Sequence, residues 1–206
     1  MKLLAKIFSM AFHPLLMLTY GIALALFGSY LAIYPLKMKL LLISGVFSMT
    51  TLLPGAFIYL MVRYGQGVDF AMVNRKVRTL PYLLYISSII VCSFFLLRMM
   101  LPFWLVVVFF AAAALMVITM CINFFWKISA HMIGIGGLMG AIMGYFKMYQ
   151  LNPWILFIIL FLLAGILGTS RLILERHTPA QVYTGFVLGF TGIYLSTILS
   201  YFFLFI

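Results

Sequence analysis

"PWILFIILFLLAGILGTSRLILERHTPAQVYTGFVLG", residues 153–189, passes through two environments. From 153 to 169 it is apolar and uncharged. From Ser170 to Gln181 it carries Arg171, Glu175, Arg176 and His177, and then it turns apolar again to about residue 204. An uninterrupted apolar run of about 20 residues is what a helix needs to cross a bilayer. In lipid the backbone must satisfy its own hydrogen bonds, which leaves helices or closed barrels. Barrel strands alternate apolar and polar residues, and these runs do not. The stretch reads as two membrane-crossing helices joined by a polar turn.

The rest of the chain repeats this pattern. It has 206 residues, 67% hydrophobic and 7% charged, against roughly a quarter charged in a soluble domain. The expected fold is all-α: a polytopic transmembrane helical bundle of six or seven spans in one domain, 1–206. Spans are drawn at roughly 14–33, 40–62, 82–98, 102–125, 132–148, 153–169 and 182–204, with a kink at Pro54-Gly55. The opening "MKLLAKIFSMAFHPLLM" shows no small-x-small cleavage site and reads as part of a retained first span. The expected location is a bacterial inner (plasma) membrane.

Thirteen basic residues face only Asp69 and Glu175, a net charge of +11. Such a balance implies anionic partners. No soluble region is present to hold nucleic acid, so membrane lipids and a phosphate-bearing lipid are the expected ones. Cys92 and Cys121 lie in apolar runs without metal-ligand spacing, and two carboxylates are too few for a Mg²⁺ or Zn²⁺ site. No metal and no cofactor are expected, and no segment specifies an oligomeric state.

Counting spans gives the polar segments a common side. Stretches 63–81, 126–131 and 170–181 are each separated by two crossings, so all three emerge at one face. They carry Arg75, Lys76 and Arg78; Lys127 and His131; and Arg171, Arg176 and His177. Basic residues at helix ends serve as interfacial anchors, but histidines and a Ser-Arg pair are poor generic anchors. Phosphoryl transfer needs cations for the phosphoryl oxygens, a nucleophile, and an acid for the leaving oxygen. Arginine's planar fork suits the first role, and histidine suits the other two.

These residues also resemble a known family. Ser170-Arg171, five residues, His177, three residues, Gln181 is similar to the third signature of the type 2 phosphatidic acid phosphatase (PAP2) superfamily: Ser-Arg, five, His, three, Asp. Ile128-Ser129-Ala130-His131 resembles its second signature, Pro-Ser-Gly-His. "NRKVRTLP", 74–81, resembles a degenerate first signature. The resemblance covers about 74–189 and implies a phosphatase core that works without metal through a phosphohistidine. It makes His177 the nucleophile and His131 the general acid. Arg171, with Arg78 and Arg75 or Lys76, would bind phosphate oxygens, and Ser129 would donate a hydrogen bond. Ser170 and Lys127 complete the expected phosphate-binding set. Gln181 stands where the family has Asp. At i+4 it can reach His177 and fix its tautomer, but it cannot stabilise an imidazolium as a carboxylate does, which implies slower chemistry or help from Glu175. Ala130 replaces Gly, Arg78 lies three residues before Pro81, and Ala71 stands where a Lys would precede Arg78 by seven.

Three functions share this pattern: a phosphatase acting on a lipid phosphate or polyprenyl pyrophosphate, a headgroup phosphotransferase, and a decayed lipid-phosphate binding or carrier protein. His13 reads as a packing or interfacial residue with no assignable partner, and Glu175 as a helical partner of Arg171. Glycines in the fifth and seventh spans read as close-packing positions. Nine Lys and Arg residues fall on the motif face and four on the other. Without the six in the proposed site the count is three against four, so orientation stays open.

Overall fold

The computed structural model describes residues 1–64 and 79–202. Arg75, Lys76 and Arg78, with Asp69, lie outside the described residues. The elements are α1 (Lys2–Ala11), a 3₁₀ turn (Pro14–Leu16), α2 (Met17–Gly28), a second 3₁₀ turn (Tyr30–Ile33), α3 (Leu36–Phe47), a π turn (Ser48–Leu52), α4 (Leu53–Tyr64), α5 (Thr79–Arg98), α6 (Phe103–Phe125), α7 (Ala130–Met148), α8 (Trp154–Ile173) and α9 (Pro179–Phe202). Among the described residues there is no strand. Among the described residues, six segments are long and apolar enough to cross a membrane: Lys2–Gly28, Leu36–Tyr64, α5, α6, α8 and α9. They mark an integral membrane protein.

Local chemistry sets the interruptions. Pro14 lacks an N–H, and the chain leaves α1 through Phe12 and an extended His13 (φ −66°, ψ 139°). The first apolar segment is therefore two helices, beginning earlier than the expected 14–33. Pro54 likewise cannot donate to the turn before it, and the helix widens there into the π turn Ser48–Leu52. Helices α5, α7 and α8 end alike. Met100, Gln150 and Glu175 take left-handed conformations (φ 54°, 53° and 52°). The N–H groups of these residues and their successors turn back onto carbonyls three and five residues earlier. This is the Schellman ending, usually built on glycine. Pro102, Pro153 and Pro179 follow closely and stop each helix from continuing.

The centre of the bundle is the α7–α9 pair. A Cβ on Gly136 would strike the Phe186 carbonyl oxygen, one on Gly140 that of Phe190, and one on Gly189 that of Ile133. These glycines let two backbones touch, as small residues do in lipid. Numbers rise together along the seam, from Ser129 beside Gly185 to Gly144 beside Thr197, so α7 and α9 are parallel. Wherever α9 crosses the membrane, α7 crosses with it. Its glycine-rich sequence is less apolar than its neighbours, and α7 tolerates this because protein buries much of it.

Candidate functional site

Parallel α7 and α9 put their N-termini at one end, where α8 between them finishes. A Cβ on Gly185 would lie 2.9 Å from the Ser129 carbonyl oxygen and 3.3 Å from Met132 Cβ. One on Gly168 would lie 3.2 Å from Val182 Cγ1 and 3.5 Å from Met132 Cε. The start of α7, the end of α8 and the start of α9 thus share one level. It holds Ser129, His131, Ser170, Arg171, His177 and Gln181. Arg171, His13 and His177 all stand within electrostatic reach of His131. The two N-termini add their positive partial charges at this level, beside Arg171, and among the described residues no carboxylate acts on His131.

His177 is placed by the entry into α9. Thr178 is the residue before the helix, and its carbonyl accepts the Val182 N–H at 3.1 Å. Pro179 occupies the first helical position, where its missing N–H costs nothing. Gln181 turns back, and its Oε1 accepts the Thr178 N–H at 3.3 Å and pairs with His177 Nδ1 at 3.0 Å. Thr-Pro-Ala-Gln has the spacing of a capping box, and Gln181 makes its half of it. An amide oxygen only accepts, so Nδ1 carries a proton, and whenever the ring is neutral its lone pair is on Nε2. His177 is buried, at 9% exposure.

His131 is placed by the entry into α7. Ser129 caps that helix with its carbonyl, which accepts the Ile133 N–H at 3.0 Å, but its side chain does not cap. The Ser129 hydroxyl is fully buried, with no hydrogen-bond partner among the described residues. His131 Nε2 lies 3.2 Å from the Ser9 carbonyl oxygen of α1, which can only accept.

The remaining expected residues are placed less uniformly. Ser170 is buried in the last turn of α8, which runs past the expected end of that span, and its hydroxyl donates to the Ile166 carbonyl at 2.8 Å. As placed, its proton is engaged within its own helix. Lys127 is half-buried in the link before α7. Glu175 departs from its expected pairing: α8 ends at Ile173, and Glu175 is exposed in the left-handed turn, off the helical face it would share with Arg171. Among the described residues no group of three or more His, Cys, Asp or Glu side chains could hold a metal ion.

The structure adds His13, which the sequence left without a partner. Its ring meets that of His131 edge-to-face, with centroids 5.3 Å apart. The signal was local: His-Pro at a helix break is a capping pattern, and His13 Nδ1 accepts the Leu15 N–H at 3.4 Å. A cleft between α2, α6 and α7 begins beside this pair, at Pro14, Ala130 and Gly134. Its inner part shares Leu18, Gly21 and Leu138 with a second cleft that reaches Gly28 and Tyr145 at the far end. Both are lined almost wholly by apolar side chains. Comparison of the chain with protein-family models, with curated proteins and with solved structures finds no match.

Proposed function

We propose that the protein is a membrane-embedded lipid phosphatase, acting on a lipid phosphate or polyprenyl pyrophosphate through a phosphohistidine, on a phosphatidic acid phosphatase-like core. The observation that carries this reading is the His177–Gln181 hydrogen bond, with Arg171 and His131 at the same level. A histidine that donates from Nδ1 presents Nε2 as a nucleophile. Nε2 attacks phosphorus, the N–P bond forms, and the bond to the leaving oxygen breaks. That oxygen takes a proton from His131. Water then attacks phosphorus and gives a proton back to His131, and the N–P electrons return to Nε2. Arg171 and the two helix N-termini neutralise the phosphoryl oxygens. The tail lies in the apolar cleft along α2, about 18 Å long over 12 residues.

The test is phosphate release from polyprenyl mono- and pyrophosphate by purified protein in nanodiscs. His177→Ala is expected to lower release by about 10³-fold or more, and acid quenching should trap phosphate on the parent but not on the variant. Equal release by both proteins removes the nucleophile assignment. Binding without turnover favours the decayed carrier, and transfer to an added lipid alcohol favours the transferase.

A further inference from the structure

The end of α1 belongs to this site. In an unbroken helix the Ser9 carbonyl would accept the His13 N–H. Instead that N–H bonds Met10 at 3.3 Å, because the chain turns out of helix before Pro14. The Ser9 carbonyl is left at the C-terminus of α1, where a helix carries partial negative charge, and it meets His131 Nε2 at 3.2 Å. Four residues on, the His13 ring packs against the His131 ring. His13 itself is held at Nδ1 by the Leu15 N–H, and Met17 and Pro14 press on Gly134, one turn into α7, at 2.9 and 3.5 Å from a Cβ built there. Two groups on one short break therefore hold the same imidazole.

We propose that His13 and the Ser9 carbonyl are the positioning elements of His131: the carbonyl anchors Nε2–H, the His13 ring fixes the plane, and Nδ1 takes up a proton from solvent as the anionic phosphate enters and passes it to the leaving oxygen. This rests on the phosphatase reading above and adds an assignment that reading lacks. Among the described residues no carboxylate acts on His131. A free carbonyl at a helix C-terminus takes that part, because it accepts a hydrogen bond and favours positive charge on the ring. His13 acts through His131 and does not touch phosphate.

Leaving-group dependence separates positioning from general damage. An alkyl phosphate needs its leaving oxygen protonated, while an activated aryl phosphate does not. His13→Ala is expected to lower kcat on a polyprenyl phosphate on the order of 10–100-fold, a part of what a general acid contributes, with KM little changed. With p-nitrophenyl phosphate, the burst of p-nitrophenol that accompanies phosphorylation of His177 should stay close to the parent. His131→Ala should show the same split, larger. His13→Phe, which keeps a ring against His131, should restore much of the loss. His13→Asn, which keeps only a cap for Leu15, should not. Equal losses on both esters, no loss on either, or rescue by Asn and not Phe overturns the proposal. If the parent hydrolyses neither ester, the phosphatase reading fails, and ¹⁵N NMR of the His131 ring tests the positioning directly. The parent should show Nε2–H and His13→Ala a mixture of tautomers; an unchanged tautomer in His13→Ala overturns the positioning role.

Discussion

The two ends of the α7–α9 pair are built from different chemistry. At the C-terminal end of α7, Tyr145 and Tyr149 meet Trp104 and Tyr30, with ring centroids 4.8–5.7 Å apart. Trp104 Nε1–H donates to the Tyr30 hydroxyl at 3.0 Å. Buried Lys39 donates to the Ala32 carbonyl at 2.6 Å and lies over Phe27. This end completes itself, as aromatic residues at a membrane surface do. At the N-terminal end the hydroxyls of Ser129 and Ser9 are buried without a hydrogen-bond partner among the described residues. Leaving a buried hydroxyl unsatisfied costs about 1–3 kcal/mol. Anchoring does not require that expense, since the other end anchors the same helices without it. The contrast is what a site for a phosphoryl group predicts: donors held in place for acceptor oxygens.

The comparison breaks most completely at the seam that joins the two ends. A side chain on Gly140 meets the backbone carbonyl of Phe190, so rotamer changes cannot relieve it. Overpacking of this kind typically costs about 1–3 kcal/mol, occasionally more. Gly140→Leu should lower the thermal midpoint of the detergent-solubilised protein. It should also change Trp104 fluorescence at one end and abolish phosphate release at the other. Loss of release with the aromatic end unaltered would show that the two ends do not depend on one seam.

Gln181 comes next, because one oxygen serves two donors. Gln181→Ala removes both the acceptor for the Thr178 N–H and the acceptor for His177. We expect about 1 kcal/mol of lost stability, typical for a helix cap, and release slowed about 10–100-fold as the nucleophile loses its preferred tautomer. Gln181→Glu should keep the cap, favour the helix N-terminus and match or exceed the parent rate. A Glu variant as slow as the Ala variant would show that Oε1 acts on the helix alone.

Much of the fold was legible because length and hydropathy constrain helices in lipid more tightly than helices in water. The i, i+4 spacing made the His177–Gln181 contact readable, since both lie within a turn of one helix start. His13 was not readable in this way. Its contact with His131 and that of Ser9 with His131 span more than a hundred residues and depend on a break angle that pattern does not encode. The left-handed Glu175 was also hidden, because the Schellman ending here uses Glu where glycine would have announced it. The capping role of Gln181 is written in the sequence as Thr-x-x-Gln, at the same position whose i, i+4 spacing serves the imidazole.

The smallest expected effects separate the ends most cleanly. Ser129→Ala deletes a hydroxyl that has no partner among the described residues. Removing such a group is neutral or stabilising, because its desolvation is no longer opposed to folding. Tyr30→Phe deletes a hydroxyl that accepts from Trp104 and leaves the indole N–H unpaired, a loss of about 1 kcal/mol. The thermal midpoint should therefore stay level or rise for Ser129→Ala and fall for Tyr30→Phe. Phosphate release should do the opposite: about tenfold slower for Ser129→Ala, within the range of one charge-assisted hydrogen bond, and unchanged for Tyr30→Phe. If Ser129→Ala is destabilised and fully active, its hydroxyl is an ordinary structural group, and the asymmetry between the ends carries no chemistry.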